Sequence, residues 1–229
     1  MLRRAFREEL QRIQDEVLSL GSRSENALLE SVEALRLRDL TKAQEIIDAD
    51  RLINETRFAI EHDVLILLAT QQPAASDLRT LAAVLEIITE LERIGDYGKG
   101  ISKISQMIGD QPLLKPLIDI PRMAEKAVSM IHRALTAFAN RDVALALSIP
   151  AEDDDVDALY NQVYRDLVGY IVADPKVLDH ANYLMWVAHN IERAADRSTN
   201  LCERVVFMVT GRMSELDTHE ELTSPGSGA

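Results

Sequence analysis

The feature that most restricts the fold of this chain is an internal repeat. Arg38-Asp39 recurs as Arg141-Asp142, Asp50 as Asp153 and Asn54 as Asp157, each at an offset of 103 residues. Farther along, Glu92-Arg93-x-x-Asp96 recurs as Glu192-Arg193-x-x-Asp196 at an offset of 100. Several matches at nearly one spacing mean that one supersecondary unit is used twice, with a small deletion between the two registers. Whatever architecture the first copy adopts, the second must adopt too.

Within each copy, apolar residues return at steps of three and four, the spacing that lines one face of an α-helix. A first stripe runs through Phe6, Leu10, Ile13, Val17 and Leu20 to Val32 and Leu35. A second, with Asp39 and Thr41 as capping candidates, runs through Ile46, Ile47, Ile53, Ile60, Val64 and Leu67 and stops before Pro73. A third, with Ser76 as its expected cap, places Leu78, Leu81, Leu85 and Ile88 on a buried face and continues to about Ile108, where Gly109 ends it. Residues 111–121 hold three prolines and read as a connection. The pattern then restarts with Met123, Ala127, Met130, Ala134 and Phe138. A fifth stripe carries Leu147, Val156, Tyr160, Val163 and Leu167 and is interrupted at Pro150. After a break at 173–176, the sixth carries Leu184, Val187, Ile191 and Leu201 to about Thr210 and Gly211.

With only 9 Gly, 7 Pro and 4 % aromatic residues among 229, the composition suits helices rather than a turn-rich sandwich. The expected fold is all-α: two tandem, internally repeated three-helix bundles built from six long antiparallel helices. The bundles span residues 1–110 and 122–213, joined by a linker at 111–121, and a flexible polar tail occupies 214–229.

The formal net charge of −13 repels polyanions, so nucleic acid is not an expected partner. A single cysteine, Cys202, forms no intramolecular disulfide and reads as a small core residue. Trp186 and the methionines at helical spacing also read as packing. The first residues are charged throughout and contain no apolar run like that of a signal peptide. The longest apolar stretch, 64–69, is far below the roughly 20 residues a membrane-spanning helix needs. A cytoplasmic protein is expected.

Against this background the placement of certain carboxylates is anomalous. Glu92 and Asp96, four residues apart, share a helix face on which like charges repel, and they continue the stripe of Leu81, Leu85 and Ile88. Glu192 and Asp196 repeat the arrangement at the edge of Leu184, Ala188, Ile191 and Ala195. The second helix of each copy adds Asp50 with Asn54, and Asp153 with Asp157, which neighbouring helices would set opposite those pairs. Buried anions require a compensating positive charge. Arg79, Arg93 and Arg193 would supply it through ion pairs; alternatively, a hard or borderline metal ion would, with Fe, Mn, Mg or Zn suited to oxygen ligands. His189 lies three residues before Glu192 and is within reach of the second cluster. No histidine has a glutamate three residues before it, which argues against a ferritin-like di-iron site. Nor is a nucleophile elbow or phosphate loop visible.

The segments QPAASDLR at 72–79, ELERIGD at 90–96 and NIERAADRSTNLCE at 190–203, together with Asp50-x-x-Ile-Asn54 and Asp153-x-x-Val156-Asp157, resemble phosphate-transport regulatory proteins of the PhoU type. The likeness extends from about residue 5 to residue 212. It implies two tandem three-helix bundles and a non-enzymatic cytoplasmic regulator that helps shut off the phosphate-starvation response, a negative and indirect effect on transcription. Such a regulator works between the ATPase subunit of a phosphate ABC transporter and a membrane sensor histidine kinase, reaching the membrane only through those partners; a homodimer is also expected. Some members hold multinuclear metal clusters on paired Glu/Asp-x-x-x-Asp motifs. That role falls here on Glu92, Asp96, Glu192 and Asp196, with Asp50, Asn54, Asp153 and Asp157 opposite. Two departures stand out: Asn54 breaks an acidic pair, and Gly100 stands where the family often has Asn. The competing classes are a metal-dependent helical-bundle enzyme, a phosphohydrolase or oxidase, and a helical adaptor with no metal.

Overall fold

In the computed structural model, which describes residues 2–216, helices α1 (Leu2–Leu37), α2 (Leu40–Thr70) and α3 (Ala75–Ile108) form the first copy. The second contains α4 (Asp119–Asn140), α5 (Val143–Ser148), α6 (Asp153–Ala173) and α7 (Leu178–Thr210), with 3₁₀ turns at Pro150–Glu152 and Pro175–Val177. The single fifth helix expected from the repeat is thus divided at Pro150, which cannot supply the backbone N–H that an unbroken helix needs. Asp39 and Asp142, the repeat partners, cap α2 and α5 by accepting from the N–H of Lys42 and Leu145. The expected cap at Ser76 is displaced: α3 starts after Ala74, with no side-chain cap. Gly109 and Gly211 end α3 and α7 in left-handed φ, +62° and +77°.

The linker is shorter than expected, because α4 already begins at Asp119 and takes Pro121 into its first turn, where no intrahelical N–H bond is lost. Leu113, Leu114 and Leu117 anchor the connection on the core, and Lys115 Nζ donates to Asp166 Oδ2 of α6 at 2.6 Å. Of the tail assigned to 214–229, residues 214–216 turn back on α7, where the Leu216 N–H donates to Glu203 Oε1 at 2.9 Å. The remainder lies outside the described residues.

Packing joins the two copies. Helices α1, α3, α7 and α4 form a closed ring of neighbours, α2 covers α1 and α3, and α6 covers α4 and α7. Across the ring α3 and α7 run antiparallel: Glu86 meets Arg204, Glu90 meets Arg197 and Asn200, and Tyr97 meets Arg193. Gly21 and Glu25 of α1 meet Leu135 and His132 of α4 in the same sense. One continuous apolar cluster, including Ile13, Leu20, Leu81, Ile88, Met130, Phe138, Ile191 and Leu201, runs through both copies. Close contact of α3 with α1 is permitted by Gly98, where an added Cβ would lie 2.7 Å from the Ala27 carbonyl group. Among the described residues, no helix is long and apolar enough to cross a membrane.

Candidate functional site: two carboxylate clusters

An α-helix advances about 100° per residue, so a side chain one position beyond a buried residue lies at the edge of the buried face. Glu92 follows buried Leu91 and Asp96 follows buried Gly95; Glu192 follows Ile191 and Asp196 follows Ala195. The four acids therefore border the grooves between the ring and its covering helices, α2 in the first copy and α6 in the second. The expectation of interior acids needs correction at Asp96, whose side chain is 49 % exposed and stands at the groove mouth. Asp50 is buried, and Asn54, Glu92, Asp153, Asp157, Glu192 and Asp196 are half-buried.

In the first groove a cation is already present. Lys99 lies three residues beyond Asp96 on α3, and its Nζ donates to Asp50 Oδ2 at 2.5 Å and approaches Asp96 Oδ1 at 3.9 Å. Asn54 Nδ2 donates to the same Asp50 oxygen and to the Asp50 carbonyl, both at 3.1 Å. The Lys99 pKa is raised by the hydrogen bond to Asp50, against desolvation, with help from the charges of Asp50, Asp96 and Glu92. Glu92 is raised by desolvation and then by Asp96, with Arg57 opposing. Asp96 is raised by desolvation and then by Asp50, with Lys99 and Lys103 opposing. Arg79 and Arg93, candidates for neutralising these acids by direct ion pairs, are placed elsewhere. Arg93 pairs with Glu90 at 2.7 Å and Arg79 reaches the Met208 carbonyl. The sequence signal for Lys99 is its i+3 spacing from Asp96, which places it on the same face, but a long lysine at such a position reads equally as solvated surface.

The second groove is a cleft of about 470 Å³ lined by Asp153, Asp157, Glu192 and Asp196, with Arg197, Thr199 and Asn200 beside them and Glu203 and Glu215 at its far end. All four expected second-copy residues thus border one cleft. Desolvation, followed by the charges of Asp196, Asp157 and Asp153, lifts Glu192 to about 7. His189 Nδ1 lies 3.2 Å from Glu192 Oε2, so the histidine does approach the cluster. Arg193 lies over the Tyr97 ring at 5.5 Å, and Arg197 donates to Glu90 Oε2 at 3.2 Å. Both of these arginines therefore engage the other copy.

Among the described residues, no three His, Cys, Asp or Glu side chains stand close enough together to hold a metal ion without moving. In the second cleft a cation would have to draw the carboxylates inward, against the burial and then the mutual repulsion that raise Glu192. The donor set, all carboxylate oxygen, fits a hard or borderline ion. Elsewhere the sequence reading is mixed. Cys202 is buried as expected, its thiol pushed up to about 12 by burial. Trp186, expected in the core, is 54 % exposed and meets Tyr183 edge-on; among the methionines, Met123, Met130 and Met208 are buried while Met107 and Met213 are exposed.

A duplicated helical protein in which each copy sets an acidic pair of one helix against polar partners of a covering helix defines a narrow class. The PhoU domain matches twice, over residues 17–105 and 120–205. The chain belongs to the PhoU family. It is 32 % identical to the phosphate-specific transport system accessory protein PhoU homolog of Clostridium acetobutylicum, over 95 % of this chain and all of that one. It is likewise 32 % identical to the PhoU accessory protein of Escherichia coli, over 90 % of this chain and 86 % of the other. The crystal structure of PhoU from Pseudomonas aeruginosa superposes with a TM-score of 0.85 at 30 % identity, covering 90 % of this chain and all of that one. The regulatory protein PhoU from Streptococcus pneumoniae gives 0.84 at 29 % identity, covering 91 % and 99 %.

Proposed function

We propose that this protein regulates phosphate uptake and phosphate-starvation signalling in the cytoplasm, by docking between a phosphate ABC transporter and a sensor histidine kinase rather than by catalysing a reaction. The single observation that carries the reading is that relatives named as phosphate-specific transport accessory proteins align over nearly the whole chain, both copies included. Docking through long helical faces suits a molecule of this build. Exposed Phe58, Leu65 and Ile66 on α2 offer apolar surface for a partner or a second copy. The test is co-purification with the transporter's ATPase subunit and with the kinase from phosphate-replete cells; retention of neither, or turnover of phosphate esters by the pure protein, overturns the reading.

The reading includes a metal ion at the second cleft, held by Asp153, Asp157, Glu192 and Asp196. Fe, Mn, Mg or Zn would suit, and the lifted Glu192 supports the assignment because it marks negative charge awaiting compensation. The ion would supply positive charge that fixes α6 against α7. Elemental analysis of protein prepared without chelator tests this part separately.

A further inference from the structure

The repeat places equivalent residues at the two clusters, yet the clusters differ in their balance of charge. The first has three carboxylates, from Asp50, Glu92 and Asp96, with the Lys99 ammonium and the Asn54 amide among them. The second has four carboxylates, because Asp157 replaces the amide, and the residue at the position of Lys99 is Thr199. We propose that Lys99 serves as the first cluster's permanent internal cation, so that this cluster takes no metal ion and metal binding belongs to the second cleft alone. The second half of this statement rests on the metal reading given above.

Asp50 is the innermost acid of the first groove, with a side chain only 6 % exposed, and a metal ion drawn into that groove would need its oxygens. The Lys99 ammonium already stands 2.5 Å from Oδ2, so a metal ion, which needs a carboxylate oxygen at roughly 2.0–2.2 Å, would have to displace it first. Asn54 adds to the difference, because its neutral amide donates to Oδ2 where Asp157, its counterpart in the other cleft, brings a further negative charge. Asp50 is thereby supplied with positive charge and a hydrogen bond from within the chain, as a buried carboxylate requires. In the second cleft Arg193 and Arg197 are drawn to Tyr97 and Glu90, and His189 faces Glu192, so no lysine takes the place of Lys99 among the lining residues.

The experiment loads the full chain with Mn²⁺, removes free ion and measures manganese per chain, alongside Tm in chelator and in Mn²⁺. The parent and Glu92→Gln/Asp96→Asn are expected to carry the same manganese, and Glu192→Gln/Asp196→Asn to carry none. Lys99→Gln is expected to lower Tm in chelator by about 5 °C, with Mn²⁺ recovering the loss, and Lys99→Arg to keep the parent's Tm. Loss of manganese in Glu92→Gln/Asp96→Asn would overturn the inference, as would a Lys99→Gln protein with unchanged Tm. Should the parent bind no manganese, the metal reading of the second cleft fails. The Lys99 variants then decide the rest: a Tm loss recovered by Mn²⁺ upholds the internal cation, and an unrecovered one sinks it.

Discussion

Glu192 is a side chain of the second cleft whose protonation the fold shifts upward. Burial, followed by the charges of Asp196, Asp157 and Asp153, pushes its carboxyl up to about 7 from an ordinary 4.5. Between those values this carboxyl binds more protons in the folded chain than in the unfolded one, so its contribution to stability is greatest below about pH 4.5, falls as pH rises through 7 and then levels off. After allowance for partial solvent screening, the loss is on the order of 2 kcal/mol. Glu192→Gln removes this charge. In chelator the variant is expected to match the parent near pH 4 and exceed it near pH 8, as urea denaturation at the two values would reveal. Glu92 and Asp96 are shifted in the same direction, but they remain in both proteins and cancel in the difference. On the proposed metal reading, saturating divalent metal should reverse the order at pH 8, since the variant would lack one ligand. Parallel pH profiles in chelator would show that the cleft does not burden Glu192 in this way.

Helices make different demands, and two glycines three residues apart on α3 are distinguished by what each faces. At Gly98 an added Cβ meets the Ala27 carbonyl group at 2.7 Å, which is backbone and can yield only if α1 moves. At Gly95 it meets the Ile53 Cδ1 atom at 2.9 Å, the end of a side chain that can rotate. Gly98→Ala is therefore expected to cost roughly 1–3 kcal/mol, whereas Gly95→Ala should be near neutral because alanine's helix propensity, worth about 1 kcal/mol, offsets the repacking. Chemical denaturation of the two variants checks the contrast, and equal losses would refute it. Removing the α5 cap by Asp142→Ala should cost about 1 kcal/mol in the same measurement. Such elements were largely legible in the sequence: the three-and-four spacing revealed the long helices, and Pro150 marked the break between α5 and α6. Leu78 and Leu147 were misplaced because each lies where the spacing is cut short, in the first turn of α3 and in the six-residue α5. Trp186 lay off the stripe of Leu184, Val187 and Ile191 and could have been read as outward. The acidic clusters were legible as repeated oddities, but their depth was not, because one position of helical rotation separates a core residue from a groove residue.

At the scale of the whole molecule, the repeat suggested two bundles in series, whereas the ring of α1, α3, α7 and α4 gives them a common core. Spacing within one helix carries no information about which helix of the other copy it meets, so this union could not be read from the stripes. Polar contacts reinforce it: Glu90 of α3 accepts from Arg197 and Asn200 of α7, and Arg141, at the end of α4, reaches Thr80 of α3 and the Met208 carbonyl of α7. Pulling the copies apart would expose apolar faces of all four ring helices and leave Glu90, half-buried between helices, without its partners from α7. A state with one copy folded and the other unfolded is therefore costly, and the chain is expected to unfold in a single step. Trp186, the only tryptophan, reports on the second copy alone, while far-UV circular dichroism reports on both. Urea transitions followed by the two signals should coincide in midpoint and slope. If dichroism shows a second phase that fluorescence does not, the copies unfold independently and the shared core does not couple them.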